Sequence, residues 1–437
     1  MNHIIRYIIR FLLGENIPER IIDLTGYTSD SAQFHQYKIV IYPSDFFRKE
    51  VYGTPQSMPV LPLQYLGTTP VLFGKPLVEQ VKDTLLVYAD IIAGAFFLVS
   101  RYEEVVCRNK RDRHGRFPGK ESLPFRAGFL DRPVVDEYGR LLRKWFAQTG
   151  ITLQTPPQQI KRINLTHDVD APFSMRSWRN MARGVMNRQN IGTLLRTKFG
   201  PLEKDPFYTF PQLLKEDKKA ADLWGNDRCG VFFFFKAGGN ERQDRPRYRL
   251  HGRDIQKLLQ LTDHCAGICG LHSSYGAGKN PSLIEREKKR LEKAFRRKIT
   301  VNRHHFLSLR EPEDMAALEL SGITDDYTMG YADAAGFRLG TSRPVCRIDC
   351  VNKRLSSLML HPLTVMDSTL SEQEYMGLSE QEAVDYCMHL IRQVEMHHGE
   401  LTLLWHNTAF TAYGSYLKSV YRAVIHQLCL LAPTHLP

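Results

Sequence analysis

The sequence predicts an α/β protein whose C-terminal two-thirds forms a parallel sheet or barrel. Three observations carry this. After residue 160, short apolar runs alternate with longer amphipathic segments, the order expected of successive βα units. The notable polar residues fall at the ends of the apolar runs, where such folds gather their chemistry. A Pro-Pro break in Gly150-ITLQ-Thr155-Pro156-Pro157 separates this part from what precedes it. The boundaries read as 1–155 for an accessory N-terminal domain and 156–437 for the barrel. With 43% apolar and 24% charged residues, the chain is neither collagen-like nor wholly disordered.

In chain order, MNHIIRYIIRFLLGEN is apolar but interrupted by Arg6 and Arg10, and Gly14-Glu15 ends it. It is too short to span a bilayer and reads as a first helix on the core; a basic amphipathic helix lying on a membrane is the other reading. No secretory signal stands out, so a cytoplasmic location, peripheral to a membrane if the helix or the basic segment below binds one, is expected. Asp90-IIAGAFFLVSRYEE has helical apolar spacing and predicts a buried helix, and RNKRDRHGRFPGK predicts an exposed loop. His114 in that loop reads as a solvated residue rather than a ligand. Beyond the break, Arg162-INLTHDVD, Cys229-GVFFFF, Gly267-ICGLH, Ile299-TV and Leu401-TLLWHN predict strands. Tyr248–Ala266, the segment opening at Ser282, and Ser379-EQEAVDYCMHLIRQVEMHH-Gly399 predict helices, the last with a Ser379/Glu382 capping box. The eight cysteines, two pairs of which have three residues between them, read as reduced thiols.

Four strand ends carry candidate chemistry. Thr166-His167-Asp168-Val169-Asp170 offers two carboxylates, one able to bind a metal while the other serves as base. A solvated turn explains such a pair equally well in isolation. Leu271-His272-Ser273-Ser274-Tyr275-Gly276 presents an imidazole directly after an apolar strand. In Asn302-Arg303-His304-His305-Phe306, strand alternation puts Arg303 and His305 on one face. Leu404-Trp405-His406-Asn407 closes the set. Together they bring an Asp pair and several histidines to successive strand ends.

The order THDVD, FFFF, GLHSSY, RHHF and LLWHN resembles the polysaccharide deacetylase (NodB-homology, carbohydrate esterase family 4-like) superfamily over about residues 160–437. ITDDYTMGYADAAGFRLGT and LTVMDSTL resemble a bacterial subgroup in which the deacetylase domain follows an uncharacterised N-terminal domain. AFFLVSRYEE, DRHGRF and FLDRPVVDEY resemble that companion. The resemblance implies a distorted (β/α) barrel of the polysaccharide deacetylase type with fewer than eight units, preceded by a smaller N-terminal α/β domain that shapes substrate access. It implies metal-assisted removal of N-acetyl groups from an amino-sugar glycan or glycan precursor. Asp168 matches the catalytic base, Asp170 the metal carboxylate, His272 the first metal histidine, Arg303 the arginine that orients the base, and His406 the general acid. The family places a second metal histidine four residues after the first. Here that position is Gly276, and His305 is the expected substitute, with His264 or a water as fallback. A backbone N–H near Tyr275 is expected to face the oxyanion, and Tyr275, Asn407 and Arg338 are expected to line the substrate. One carboxylate with two imidazoles suits Zn²⁺, with Ni²⁺, Co²⁺ and Fe²⁺ as further candidates.

Two other readings stay open. The barrel could be a catalytically inactive glycan-binding or scaffold protein, or it could act on a small non-sugar amide. The net charge is +12, and Ala171–Leu202 holds no acidic residue among Arg176, Arg179, Arg183, Arg188, Arg196 and Lys198. This segment reads as a contact for an anionic glycan or a membrane surface, or as a plain solvated face; no recognition motif points to nucleic acid.

Overall fold

The computed structural model describes residues 1–174, 176, 178–188, 190–411 and 416–433. The first helix, Asn2–Leu13, buries Ile4, Ile8, Ile9, Leu12 and Leu13. This i, i+4 stripe packs on the core rather than on a membrane. Its outward Arg6 and Arg10 pair with Glu19 and Asp23. The helix Val134–Gln148 crosses it so closely at Gly139 that a Cβ there would stand 2.4 Å from the Leu12 carbonyl oxygen. Next to these helices lies a four-stranded sheet: β1 (Thr25–Tyr27), β2 (Ile39–Ile41), β5 (Gly74–Val81) and β6 (Thr84–Ala89), in the order β1-β2-β6-β5, with β5 antiparallel. A hairpin of β3 (Gln64–Leu66) and β4 (Thr69–Val71) stands beside it. The predicted apolar helix runs Ile91–Val99 with every residue buried, capped by the Asp90 carboxylate on the Ala93 N–H.

After the irregular segment 151–161, the chain builds one nine-stranded sheet. Its strands are β7 (Arg162–Val169), β8 (Cys229–Lys236), β9 (Ile268–Ser273), β10 (Val301–His304), β11 (Asp325–Met329), β12 (Val345–Asp349), β13 (Arg354–Pro362), β14 (Val365–Met366) and β15 (Glu400–Leu404). The order is β12-β13-β11-β10-β9-β8-β7-β15-β14, and every pairing is parallel except β12 with β13. All eight residues of β8 are buried, so the Phe232–Phe235 run fills both faces of a central strand. Helices including Phe210–Trp224, Arg253–His264, Leu283–Phe295 and the box-capped Glu380–Met396 connect the strands.

The sheet is curled. β13 pairs with β11, then two residues later the same chain becomes β14 and pairs with β15 at the other end of the order. The Thr364 N–H donates to the Thr402 carbonyl at 3.1 Å. Between these strands His361 bridges Glu400 at 2.6 Å and Asp325 at 2.9 Å. The parallel sense puts the C-terminal ends of β7 to β10 at one end of the curl, in register: Asp168 beside Phe234, and His272 beside both Lys236 and Arg303.

Candidate metal centre at the strand ends

The period-two alternation of β7 sorts its polar residues. Thr166 and Asp168 face the inside of the curl, while His167 faces out. The His167 ring bonds the Trp405 carbonyl at 2.8 Å and the Asp217 carboxylate at 3.0 Å, tying β7 to the helix Phe210–Trp224. His167 is therefore structural. Arg303, fully buried, reaches across the interior from β10. It donates to Asp168 Oδ1 at 3.1 Å, to Thr166 Oγ1 at 2.6 Å and to the Tyr327 carbonyl at 3.0 Å, and its guanidinium lies 4.7 Å from the centre of the Phe234 ring. Three acceptors leave it one orientation, which fixes the carboxylate of Asp168.

Asp170, just past the strand, sits at the centre of the cluster. Its Oδ1 lies 3.1 Å from His272 Nε2 and 3.2 Å from His305 Nε2, and its Oδ2 lies 3.5 Å from His406 Nε2. His272 Nε2 is also 3.5 Å from Asp168 Oδ2. One ligand atom from each of Asp170, His272 and His305 falls within 4.8 Å of the others. Burial pushes the Asp170 carboxyl up, but the His305 and His272 imidazoles outweigh it and hold it well below the usual carboxylate range.

Each imidazole of the cluster is held from behind. His272 Nδ1–H donates to the Arg303 carbonyl at 2.9 Å, which turns Nε2 toward Asp170. His305 Nδ1–H donates to the buried Asp244 at 3.3 Å, a carboxylate–imidazole pair of the kind that orients metal ligands. His406 Nδ1–H donates to Asp367 Oδ1 at 2.8 Å, and its own backbone N–H donates to Asp367 Oδ2 at 2.7 Å. Burial would lower the His406 pKa, but Asp367 and Asp170 raise it well above the ordinary imidazole value. The buried Lys236 ammonium lies 4.0 Å from Asp170 Oδ1, and burial pushes its pKa down.

The donor set fits a divalent cation. Asp170 Oδ1 and His272 Nε2 are buried and make no hydrogen bond. Such orphaned acceptors cost on the order of 1–3 kcal/mol each unless something satisfies them. Ligands held at about 2.0–2.1 Å by a tetrahedral ion stand roughly 3.3 Å apart, close to the spacings around Asp170 Oδ1. His264, the fallback ligand, ends the helix Arg253–His264 and is not in the cluster.

Several sequence expectations are corrected. The Tyr275 N–H is not free for an oxyanion, because it donates to Asp244 Oδ1 at 2.7 Å. Asn407 is buried, and its amide donates to the Ala171 and Phe207 carbonyls. Arg338 lies away from the cluster, locked in a buried pair with Glu104 at 2.8 Å and donating to the Gly330 carbonyl at 2.7 Å. The Tyr275 side chain is buried, its hydroxyl 3.3 Å from His114 Nδ1. The predicted exposed loop is instead folded against Tyr275 and Phe306, the residue after His305, at the mouth of the cluster. Asp112 gathers the His114 and Arg116 N–H groups and the Arg116 side chain, and Arg116 donates to the Phe306 carbonyl at 2.8 Å. Gly115 has φ +77°, and a Cβ there would meet the Arg310 guanidinium at 3.0 Å. The loop thus grips Phe306, which with Leu307 holds a left-handed backbone (φ 61° and 50°) directly after His305.

Asp244, Asp367 and Lys236 were not singled out by sequence reasoning. Lys236 ends the predicted FFFF strand and Asp367 lies in the LTVMDSTL segment, so their positions were available. Asp244 sits in the irregular stretch after β8 with no pattern to mark it. The basic segment forms two helices, Trp178–Met186 and Ile191–Phe199; the side chains of Trp178, Arg179 and Arg183 lie outside what the structure describes.

Residues 3–150 match DUF7033, a family of unknown function. No curated protein matches the chain. Among solved structures, a candidate polysaccharide deacetylase from Mycobacterium smegmatis superposes with a TM-score of 0.40 at 12% identity, over 63% of this chain and 86% of that one. A mutant of a CE4-family pseudoenzyme with restored enzymatic activity gives 0.31 at 11%, over 63% and 67%. PuuE allantoinase gives 0.36 at 8%, over 63% and 87%. These superpositions are too loose to carry function.

Proposed function

We propose that the chain is a metal-dependent hydrolase that removes N-acetyl groups from an amino-sugar glycan or glycan precursor, on a distorted barrel with Asp170, His272 and His305 as its metal ligands. One observation supports this above the rest. Two orphaned ligand atoms converge with a third, while a carboxylate fixed by an arginine lies 3.5 Å from His272 and an imidazole backed by a carboxylate lies 3.5 Å from Asp170. Zn²⁺ is the ion that one oxygen and two nitrogen ligands suit best. When bound, such an ion lowers the pKa of a water and polarises an acyl oxygen.

The rest of the reaction falls to the protein. Asp168 accepts a proton from the attacking water, held in aim by Arg303 and Thr166. His406, kept protonated by Asp367, delivers a proton to the departing amine nitrogen. Placing both groups around one site supplies the positioning that amide hydrolysis needs. An inactive glycan-binding barrel remains the competing reading, and it has no use for a protonated His406 opposite a fixed Asp168.

Acetate release from a panel of N-acetylated amino sugars and small amides, with metal content by elemental analysis, tests the proposal. The expected result is about one divalent ion per chain. Asp168→Asn should keep the ion and the fold while the rate falls on the order of 10²–10⁴-fold. A chain that takes up no ion and releases no acetate from any member of the panel would sink it.

A further inference from the structure

The largest group of exposed large apolar side chains among the described residues lies in one segment. Of nineteen such residues, five fall between positions 185 and 199: Val185, Met186, Ile191, Leu195 and Phe199. Met186 is 81% exposed, Phe199 65% and Ile191 59%. The helix Ile191–Phe199, capped by the Asn190 side chain on the Thr193 N–H, is two-sided. Leu194 and Thr197 face inward and are buried. Ile191, Leu195 and Phe199, at i, i+4 and i+8, form a second apolar stripe that faces out. Leaving large apolar side chains this exposed forgoes up to roughly 1.5–3 kcal/mol for each one that full burial would gain, so the stripe marks a surface fit to be covered.

The charge of the same segment selects the cover. From Ala171 to Leu202 there are six cationic residues and no acidic one. Arg188 and Arg196 are exposed beside the stripe. Arg176 fastens the base of the hairpin by donating to the Gly200 carbonyl at 3.0 Å and the Pro201 carbonyl at 2.7 Å. A second copy of the chain would set like charges against each other, since the whole molecule carries +12. An anionic bilayer offers both the apolar phase and the counter-charge. No described helix is long and apolar enough to cross a membrane, so the contact is one of lying on it. The hairpin opens at Trp178, eight residues after Asp170, and so follows the end of β7 that carries the cluster.

We propose that the outward face of the helices Trp178–Met186 and Ile191–Phe199 docks on an anionic lipid bilayer, setting the mouth of the cluster toward the headgroups. The binding stands or falls independently of the metal centre. Co-sedimentation of the full chain with vesicles of phosphatidylglycerol and phosphatidylcholine, and with phosphatidylcholine alone, reads it out. The chain should sediment with the anionic vesicles, less so at high salt, and stay in solution with the neutral ones. Ile191→Ser combined with Leu195→Ser should weaken the partition about tenfold or more with the melting temperature unchanged, because both side chains are exposed. Arg188→Ser combined with Arg196→Ser should weaken it several-fold on anionic vesicles. No sedimentation with anionic vesicles, equal sedimentation of the Ser pair, or a concentration-dependent dimer that the Ser pair abolishes would overturn the proposal.

Discussion

Asp367 sets the state of His406 through two hydrogen bonds, one to the ring and one to the backbone. Because the imidazole is held protonated above its ordinary range, the rate should persist through neutral pH and fall on the alkaline side as the proton is lost. Asp367→Asn removes the main cause of the upward shift. The alkaline limb of the pH–rate profile should then move to lower pH, while metal content stays as in the parent. An unmoved limb would mean that His406 is not the acid. At this scale much of the cluster was legible. Asp168, Asp170, His272, Arg303, His305 and His406 stand at the ends of apolar strands, and strand order alone brings such ends together. Their partners were not legible. Asp244 and Asp367 reach their imidazoles across 61 and 39 residues, and nothing local distinguishes them from other acids. Arg338 misled for the same reason, since Glu104, its partner, is 234 residues away.

Among the elements, the segment β13–β14 does the most. It is paired at one end with β11 and at the other with β15, and His361 lies between Glu400 and Asp325. Burial alone would lower this imidazole, but Glu400 and Asp325 raise it from 6.5 to about 9. The folded pKa thus stands above the unfolded one. The stabilisation is complete below about pH 6.5 and is lost as pH rises through about 9. Denaturant unfolding across that window should show a fall on the order of 2 kcal/mol, and His361→Gln should flatten it. A slope unchanged in the variant would place the alkaline loss elsewhere. Elements with uniform character were readable: the β8 run, the capped helix Glu380–Met396, the apolar helix Ile91–Val99. β11 to β14 were not. Asp325 and Asp326 open β11 and polar residues interrupt β13, so neither the period of a half-buried strand nor a continuous apolar run marks them.

Over the whole molecule, two buried carboxylates join residues 1–150 to the large sheet. Asp136, on the helix Val134–Gln148, accepts from Thr341 Oγ1, the Ser342 N–H and hydroxyl, and Arg343 Nε at 2.7–2.9 Å. Glu104 is held between Arg101 and Arg338. Burial pushes its carboxyl up, yet the two guanidinium groups bring it down to about 2. A depressed pKa gives stability that is present above the unfolded value near 4.5 and lost as pH falls toward 2. Glu104→Gln would leave two buried cations short of their counter-charge, which costs about 3–5 kcal/mol in denaturant unfolding. A loss under about 1 kcal/mol would show that the junction tolerates the missing charge. Neither carboxylate announces itself in the sequence, because a buried ion pair is a property of two distant segments once they are packed. The Asp112–Arg116 turn extends the same junction to the mouth of the cluster, where His114 meets Tyr275 and Arg116 grips the Phe306 carbonyl. The clustered side chains thus come from one stretch of chain and part of what packs over them from another. Drift in the first third could reshape the surroundings of the cluster while the six clustered side chains stay as they are.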